Sequence, residues 1–420
     1  MPYKTEHIPE KAVCVPGSEP VDISELIPLI DHPNLQRLRY RKQLGVNHLV
    51  FPGAVHTRFE HALGVLGLTQ RLCRIYGISG RERKLLEAFA LVHDIGHGPF
   101  SHQIEPVAGG SHNHKGGESV EKMEDAVEAC GLNCEDLCEM FAEDNNLARF
   151  ISDRNLGTDK LDYLRRDALH IGFCGVPDIE KVLKYSVVTA GRWAVEEKFI
   201  EDLKRIQKFY SYLHQHGYLN KTALSVQRVF QRAVQEELSA GSFTKDKLWS
   251  MTDCELENHL YNGKSDTAKG LYRSLWDRTH HRSAYVIRPQ GYGFVERTAD
   301  KGIAVSEWDM YKLANFSDKY ADCDALKKLE DDLASALLLD KGEVLFAAMP
   351  YFDKLVPRDV RIFSARGQHD YMLFENDRDH FNSLKGDYLR TFAIRIIVPP
   401  EKRKLAAGKG EVIEDFLANA

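Results

Sequence analysis

The chain has 420 residues, 43% of them hydrophobic and 28% charged, with a formal net charge of −6. That balance describes a globular chain with a real core and argues against nucleic-acid coating through bulk positive charge. No run approaches the roughly 18 apolar residues of a membrane span, and the polar opening MPYKTEHIPEK lacks the apolar stretch of a secretory leader, so no membrane contact and a cytoplasmic location are expected.

Residues 1–25 carry few periodic apolar positions and read as an N-terminal arm or edge element. From there to about residue 240 the apolar spacing is helical, which assigns residues 26–240 to a large helical core. The densest basic run, Arg37-Leu38-Arg39-Tyr40-Arg41-Lys42, reads either as a solvated helix face or as a local pocket for a polyphosphate. Phe59, Leu63, Leu66 and Ile75 form one apolar stripe, and Leu85, Leu86, Phe89 and Val92 another. The joins carry Pro52-Gly53, Gly77 and Gly96-His97-Gly98-Pro99, and Gly109 to Gly117 reads as a loop.

Cys130, Cys134 and Cys138 stand four apart, the spacing of one helix face, but no second cluster completes a zinc site, and the thiols are read as reduced. Beyond about residue 280 the β-branched and aromatic runs Ala284–Ile287, Val344–Phe346, Val360–Phe363 and Thr391–Val398 predict strands. Residues 241–420 are therefore expected to form a smaller α+β lobe that ends in a short charged helix. The fold class is mainly α.

Four segments hold chemistry that makes sense only in combination. Arg58 and His61 are three apart and share a helix face. His93-Asp94 ends an apolar helix, and the glycines that follow let His97 and His102 turn back towards it. Thr158 is a natural N-cap, after which Asp159, Tyr163 and Asp167 repeat every four residues, with His170 at the far end of the helix. His214 and Tyr218 are again four apart, with Lys221 beyond them.

Imidazoles with carboxylates suit Fe, Mn, Ni, Co or Zn, and a Mg ion is also admitted; the sequence does not choose among these divalent metals. His61, His93, Asp94 and Asp159 would hold the ion and leave positions open for water and substrate. Each piece alone is common. As unrelated surface or core groups, so many unpaired polar side chains beside apolar stripes would be costly.

These segments resemble the HD-domain superfamily, and specifically the deoxynucleoside triphosphate triphosphohydrolases of the SAM-and-HD-domain type. The likeness runs through Leu35–Tyr40, Lys42–Gly45, Val50–Ala54, His56–Gly64, His93–His102 and Asp159–Gly172, then loosely to Val398, with no separate SAM domain expected ahead of it. It implies a metal at His61, His93, Asp94 and Asp159. Arg58, His97 and His114 would hold the α- and β-phosphates, and Lys160 the γ-phosphate. His102 would protonate the departing 5′-oxygen, with Glu105 orienting it. Gln43 and Asp167 would bind the 3′-hydroxyl, Leu44 and Tyr218 would pack on the sugar, and Tyr163 and His214 would line the same pocket. Asp31, Gln36 and Arg39 match an activator-nucleotide site whose occupation would bridge subunits into a tetramer; a dimer is the expectation otherwise.

Three positions depart from the family pattern. Tyr210 stands where the family has a phosphate-binding arginine, the spacing after His114 is one residue longer, so His112 is an alternative counterpart, and Val15-Pro16-Gly17-Ser18 replaces an Asp-Pro-x-His-Gly-like element. Two other readings stay open: an HD phosphohydrolase acting on other nucleotides or phosphoesters, and a nucleotide-sensing or single-stranded nucleic-acid-binding module.

Overall fold

The computed structural model describes residues 11–142, 144–189, 192–296, 302–348, 357–364 and 370–419. The fold is mainly helical, with a large helical core and a smaller α+β region.

Two long antiparallel-packed helices, Arg58–Tyr76 and Gly80–Val92, form the centre of the first core with the Thr158–Ile171 helix. The Arg58–Tyr76 helix starts at Thr57, whose side chain accepts the Glu60 N–H, and stops at Gly77 in the left-handed conformation. Phe59, Leu63 and Leu66 are buried as their spacing requires; Ile75, in the last turn, is exposed instead. Leu86, Phe89 and Val92 are buried on the facing helix.

Three other local readings are decided by the structure. Strand β1 (Ala12–Val13) pairs with β2 (Val21–Asp22), and Val15, Val21 and Ile23 are buried in the first core, so the described part of the N-terminal segment is the edge element of the two alternatives. The segment read as a loop from Gly109 becomes helical at His112 and runs to Glu121, because Ser111 caps it by accepting the Asn113 N–H. The three spaced cysteines do not share a helix: Gly131, at φ 72°, breaks the chain after Cys130, and a new helix, Cys134–Glu139, begins.

Two four-stranded sheets flank the helices. In one, β3 (Ser186–Thr189) and β4 (Arg192–Glu196) pair antiparallel, β4 runs parallel to β8 (Arg361–Phe363), and β8 pairs antiparallel with β9 (Asp370–Met372). In the other the order is β6 (Ala304–Trp308), β5 (Arg282–Pro289), β10 (Ile394–Val398), β7 (Leu345–Ala348), with only the β5–β6 pair parallel.

The two cores draw on interleaved segments of the chain. Val360, Ile362, Leu373, Phe374 and Leu384 return to the first core, while Val46, Phe100, Ile104 and most of the Lys221–Ser239 helix belong to the second. The site lies along this junction. Arg41, fully buried, donates to the Trp249 and Met251 carbonyls at 3.0 and 2.8 Å, and Asp253 accepts the Lys42 and Phe100 backbone N–H groups at 2.9 and 2.8 Å. No helix among the described residues is long and apolar enough to cross a membrane.

Candidate metal and phosphate site

His61 projects from the first turn of its helix and is buried. Its Nδ1 lies 2.8 Å from Asp162 Oδ2, which leaves Nε2 pointing at Asp159 Oδ1 (3.1 Å) and Asp94 Oδ2 (3.5 Å). His93, at the C-terminal cap of the Gly80–Val92 helix, donates Nδ1–H to the Ala90 carbonyl at 2.8 Å. Its Nε2 then faces Asp94 Oδ2 at 3.5 Å and Asp159 Oδ1 at 3.7 Å. In both rings the hydrogen bond made by one nitrogen selects the tautomer whose other nitrogen carries a lone pair inward.

His93 Nε2 is buried without a hydrogen-bond partner, a costly state unless something accepts its lone pair. His61, His93 and Asp94 bring three ligand atoms within 4.8 Å of one another, one nitrogen of them orphaned, and Asp159 approaches from the side at 3.1 Å from His61; such a set fits a divalent cation. Without a cation, the Arg58 guanidinium and a proton on His61 are the counter-charges at hand. Burial alone would lower the His61 pKa, but Asp159, Asp162 and Asp94 outweigh it and raise it to about 10. Asp94 and Asp159 move the opposite way: burial would raise their pKa values, but the facing cations hold both carboxyls well below the usual range, Arg58 first for Asp94 and His61 first for Asp159.

Sequence reasoning missed Asp162. It is fully buried and also accepts from Arg166 Nε and Nη2 at 2.8 and 2.9 Å; Arg166 Nη1 reaches Glu60 at 2.9 Å. The signal was present, since Asp159, Asp162 and Arg166 follow at i+3 and i+4. Gly64 makes room for this fork: a Cβ there would sit 2.0 Å from Arg166 Nη2 and 2.3 Å from Asp162 Oδ1. Thr158 is not the cap of the helix but its first residue, bonded to the Thr69 hydroxyl at 3.0 Å; Gly157 occupies the cap.

Beside this centre stands a second cluster. Glu105 Oε1 lies 3.2 Å from His97 Nδ1, 2.9 Å from His102 Nδ1 and 3.1 Å from His112 Nδ1. Burial opposes ionisation of Glu105, but its histidine partners hold the carboxyl far below the usual range. His97 also reaches Asp94 Oδ1 at 3.3 Å, yet neither of its nitrogens has the alignment of a hydrogen bond. Burial, with the Arg58 charge second, lowers its pKa to about 3, so it is a neutral ring with buried, unsatisfied nitrogens.

His114 does not join this cluster. Its side chain is 78% exposed and pairs with Glu118 at 3.2 Å, whereas His112 stacks on His97 with ring centroids 4.0 Å apart. The helical start at His112 turns the two rings to opposite sides, and Gly96 allows the approach: a Cβ at 96 would lie 2.0 Å from the His112 carbonyl oxygen. Phe100 and Ser101 both take positive φ, 56° and 57°, and are held there by the Asp253 bond and by Arg58 Nε on Ser101 Oγ at 2.9 Å. Arg58 Nη1 also meets Asp94 Oδ2. His102 emerges from this turn with its side chain 63% exposed.

The remaining candidates line a second stretch. Lys160 is buried, its Nζ 2.6 Å from the Arg154 carbonyl and 3.5 Å from the Tyr210 ring centroid. Burial lowers its pKa to about 7. Tyr210, His214 and Tyr218 follow as neighbouring rings, 4.1 and 4.8 Å between centroids, because His214–Tyr218 forms a π-helical turn. Burial, then the Lys160 charge, lowers the His214 pKa to about 3. Burial raises those of Tyr163 and Tyr218, with neighbouring Tyr210 adding to the first and Asp167 to the second. Asp167 meets His56 at 2.8 Å and the Tyr218 hydroxyl. Gln43 is buried with its Oε1 unpartnered, and Leu44 packs against the first core.

Asp31, Gln36 and Arg39 sit together at the edge: Gln36 Oε1 accepts from Arg39 Nε, Gln36 Nε2 donates to the Ile30 carbonyl, each at 2.7 Å, and Asp31 is exposed. Arg39 lies 3.7 Å above the Phe59 ring, Arg37 bonds the Ile95 carbonyl and Arg41 is buried, so the basic run is largely spent inside the fold.

The segments that carry His61, the His93-Asp94 pair and Asp159 all fall within one family match, that of the HD domain. Residues 58–167 match the sequence model of that family, and the chain carries an HD domain. Deoxynucleoside triphosphate triphosphohydrolase SAMHD1 of Gallus gallus is 31% identical over 261 residues, covering 50% of this chain and 42% of that protein. An uncharacterized protein of Methanocaldococcus jannaschii is 25% identical over 343 residues, 80% of this chain and 74% of the other. The chain thus spans less than half of the SAMHD1 protein it matches. The crystal structure of a phosphohydrolase from Bacteroides thetaiotaomicron shares the fold with a TM-score of 0.70 at 20% identity, covering 93% of this chain and 99% of the other.

Proposed function

We propose that the protein is a metal-dependent phosphohydrolase that converts a deoxynucleoside triphosphate and water into a deoxynucleoside and inorganic triphosphate. The observation that carries this reading is the inward pair of imidazole nitrogens with Asp94 and Asp159, joined through the Asp94–His97 approach to a histidine cluster. His61, His93, Asp94 and Asp159 would hold the cation. When bound it supplies polarisation of a phosphoryl oxygen and a water of lowered pKa.

Arg58, His97 and His112 are set to bind phosphate oxygens, His97 through nitrogens that no protein group satisfies. His102, exposed and fixed at Nδ1 by Glu105, is placed to deliver a proton to the 5′-oxygen as the phosphorus–oxygen bond breaks. The sugar would extend along the face shared by Asp159, Tyr163 and Asp167 towards Tyr218. The SAMHD1 relatives support the deoxynucleotide substrate. Asp31, Gln36 and Arg39 would take an activator nucleotide between subunits of a dimer or tetramer.

Incubation with dGTP and Mn²⁺ should release triphosphate, and His93→Ala should abolish it; pyrophosphate or orthophosphate as first product would contradict the reading. The Lys160–Tyr210 contact favours a second version, a phosphohydrolase with another grip on the phosphate tail. Equal turnover of GTP and dGTP would support that version.

A further inference from the structure

A histidine outside the metal and phosphate clusters organises the far end of the pocket. His56 is buried. Its Nε2 lies 2.8 Å from Asp167 Oδ1, while the Tyr218 hydroxyl donates to Oδ2 of the same carboxylate. The ring stacks on His170, centroids 4.2 Å apart and planes within 14°, and His170 is itself pinned by Glu60 Oε1 at 2.8 Å. The His56 carbonyl accepts the Gln43 N–H at 2.9 Å, so one residue ties together the backbone of Gln43 and the side chain of Asp167.

Each of these two residues, joined through the Gln43 N–H, also has a buried atom without a partner, His56 Nδ1 and Gln43 Oε1. With Nε2–H donating to the carboxylate, His56 fixes the orientation of Asp167, and two donors leave each of its oxygens one lone pair to offer. Asp167 stands eight residues beyond Asp159 on the same helix, about 12 Å along the axis at 1.5 Å per residue, which leaves room between the two carboxylates for a phosphate and a pentose.

We propose that His56 is a positioning residue which aims Asp167, with Gln43, at the 3′-hydroxyl of the nucleotide sugar, and so makes that hydroxyl a condition of tight binding. The inference rests on the nucleotide reading of the site and deepens it. The stacked, doubly anchored ring costs an unsatisfied nitrogen, a cost that a purely apolar filler at position 56 would avoid.

The test uses the full chain with Mn²⁺ and two probes, the α,β-imido analogue of dGTP and its 3′-deoxy counterpart, titrated by calorimetry. The wild type should bind the 3′-hydroxyl form at least about 10-fold more tightly, as sites built to pair a hydroxyl do. His56→Leu should bring the ratio near one. His56→Gln, which keeps a donor at similar reach, should restore part of it, and on dGTP KM should rise more than kcat falls. Should His56→Leu not fold, His56→Asn, whose amide is too short for Asp167, is read in the same way.

A folded His56→Leu or His56→Asn protein that keeps the wild-type ratio overturns the proposal. So does a wild type that binds both probes equally or neither. A wild type that discriminates the probes but releases no triphosphate from dGTP leaves the role of His56 standing and refutes the proposed reaction instead.

Discussion

Asp162→Asn is the substitution that most directly probes how the metal site is held. The aspartate is fully buried and touches no substrate position, yet it accepts from His61 Nδ1 and twice from Arg166. The amide has the same shape but half the acceptors and no charge. Arg166 keeps Glu60 as an ionic partner, so the stability loss should fall near the lower end of the about 3–5 kcal/mol typical of a broken buried pair.

The effect on the cation has a different origin. An asparagine NH₂ turned towards Nδ1 stabilises the tautomer with its proton on Nε2, the nitrogen facing Asp159 and Asp94. Cation affinity should then drop about 10- to 100-fold, the usual consequence of removing such an outer partner. Competition against a fluorescent chelator measures the affinity of Mn²⁺, and denaturant unfolding measures stability. Glu60→Gln is the control: it weakens the Arg166 network without touching His61, so it should cost stability and spare the metal. A folded Asp162→Asn protein with wild-type cation affinity, or a Glu60→Gln protein with the same affinity loss, would refute the reasoning.

Three further outcomes are expected. Gly96→Ala, whose Cβ would meet the His112 carbonyl oxygen at 2.0 Å and the Gly116 nitrogen at 2.4 Å, should cost about 1–3 kcal/mol and much of the turnover by pushing His112 away from His97, as unfolding curves and initial rates will show. His102→Ala should lower kcat by about 10²-fold or more while melting temperature and Mn²⁺ affinity stay at wild-type values, because the ring is 63% exposed and its Nδ1 is held by Glu105, not by a metal ligand. Acid should destabilise the second core through His281, whose pKa burial lowers to about 4 despite its 2.8 Å bond to the Gly342 carbonyl. A histidine buried neutral stabilises the fold above its unfolded pKa of 6.5 and loses that contribution as pH falls to about 4, some 3 kcal/mol by linkage. Unfolding free energies at pH 7 and pH 4.5 should therefore diverge more in the wild type than in His281→Gln.

What the linear chain determined by itself was local and periodic. Helical spacing in Phe59–Leu66 and Leu86–Val92 brings apolar faces together, and once those helices are antiparallel His61 and His93 must meet near Asp159. Residue type then narrows the chemistry, because imidazoles set among carboxylates suit a divalent cation. The predicted strands at Ala284–Ile287, Val344–Phe346, Val360–Phe363 and Thr391–Val398 were legible for the same reason: β-branched runs pack well only on a pleated surface.

Only tertiary structure decided which of two histidines, His112 or His114, faces His97, since that depends on where a helix starts and how closely Gly96 lets it approach. It also sent Val360–Phe363 to the sheet of the first core, joined parallel to β4, a pairing between residues more than 160 positions apart that carries no local signal. Asp162 and His56 became visible for the same reason. Their identities are ordinary; the meaning lies in the 2.8 Å contacts that folding makes with His61 and Asp167.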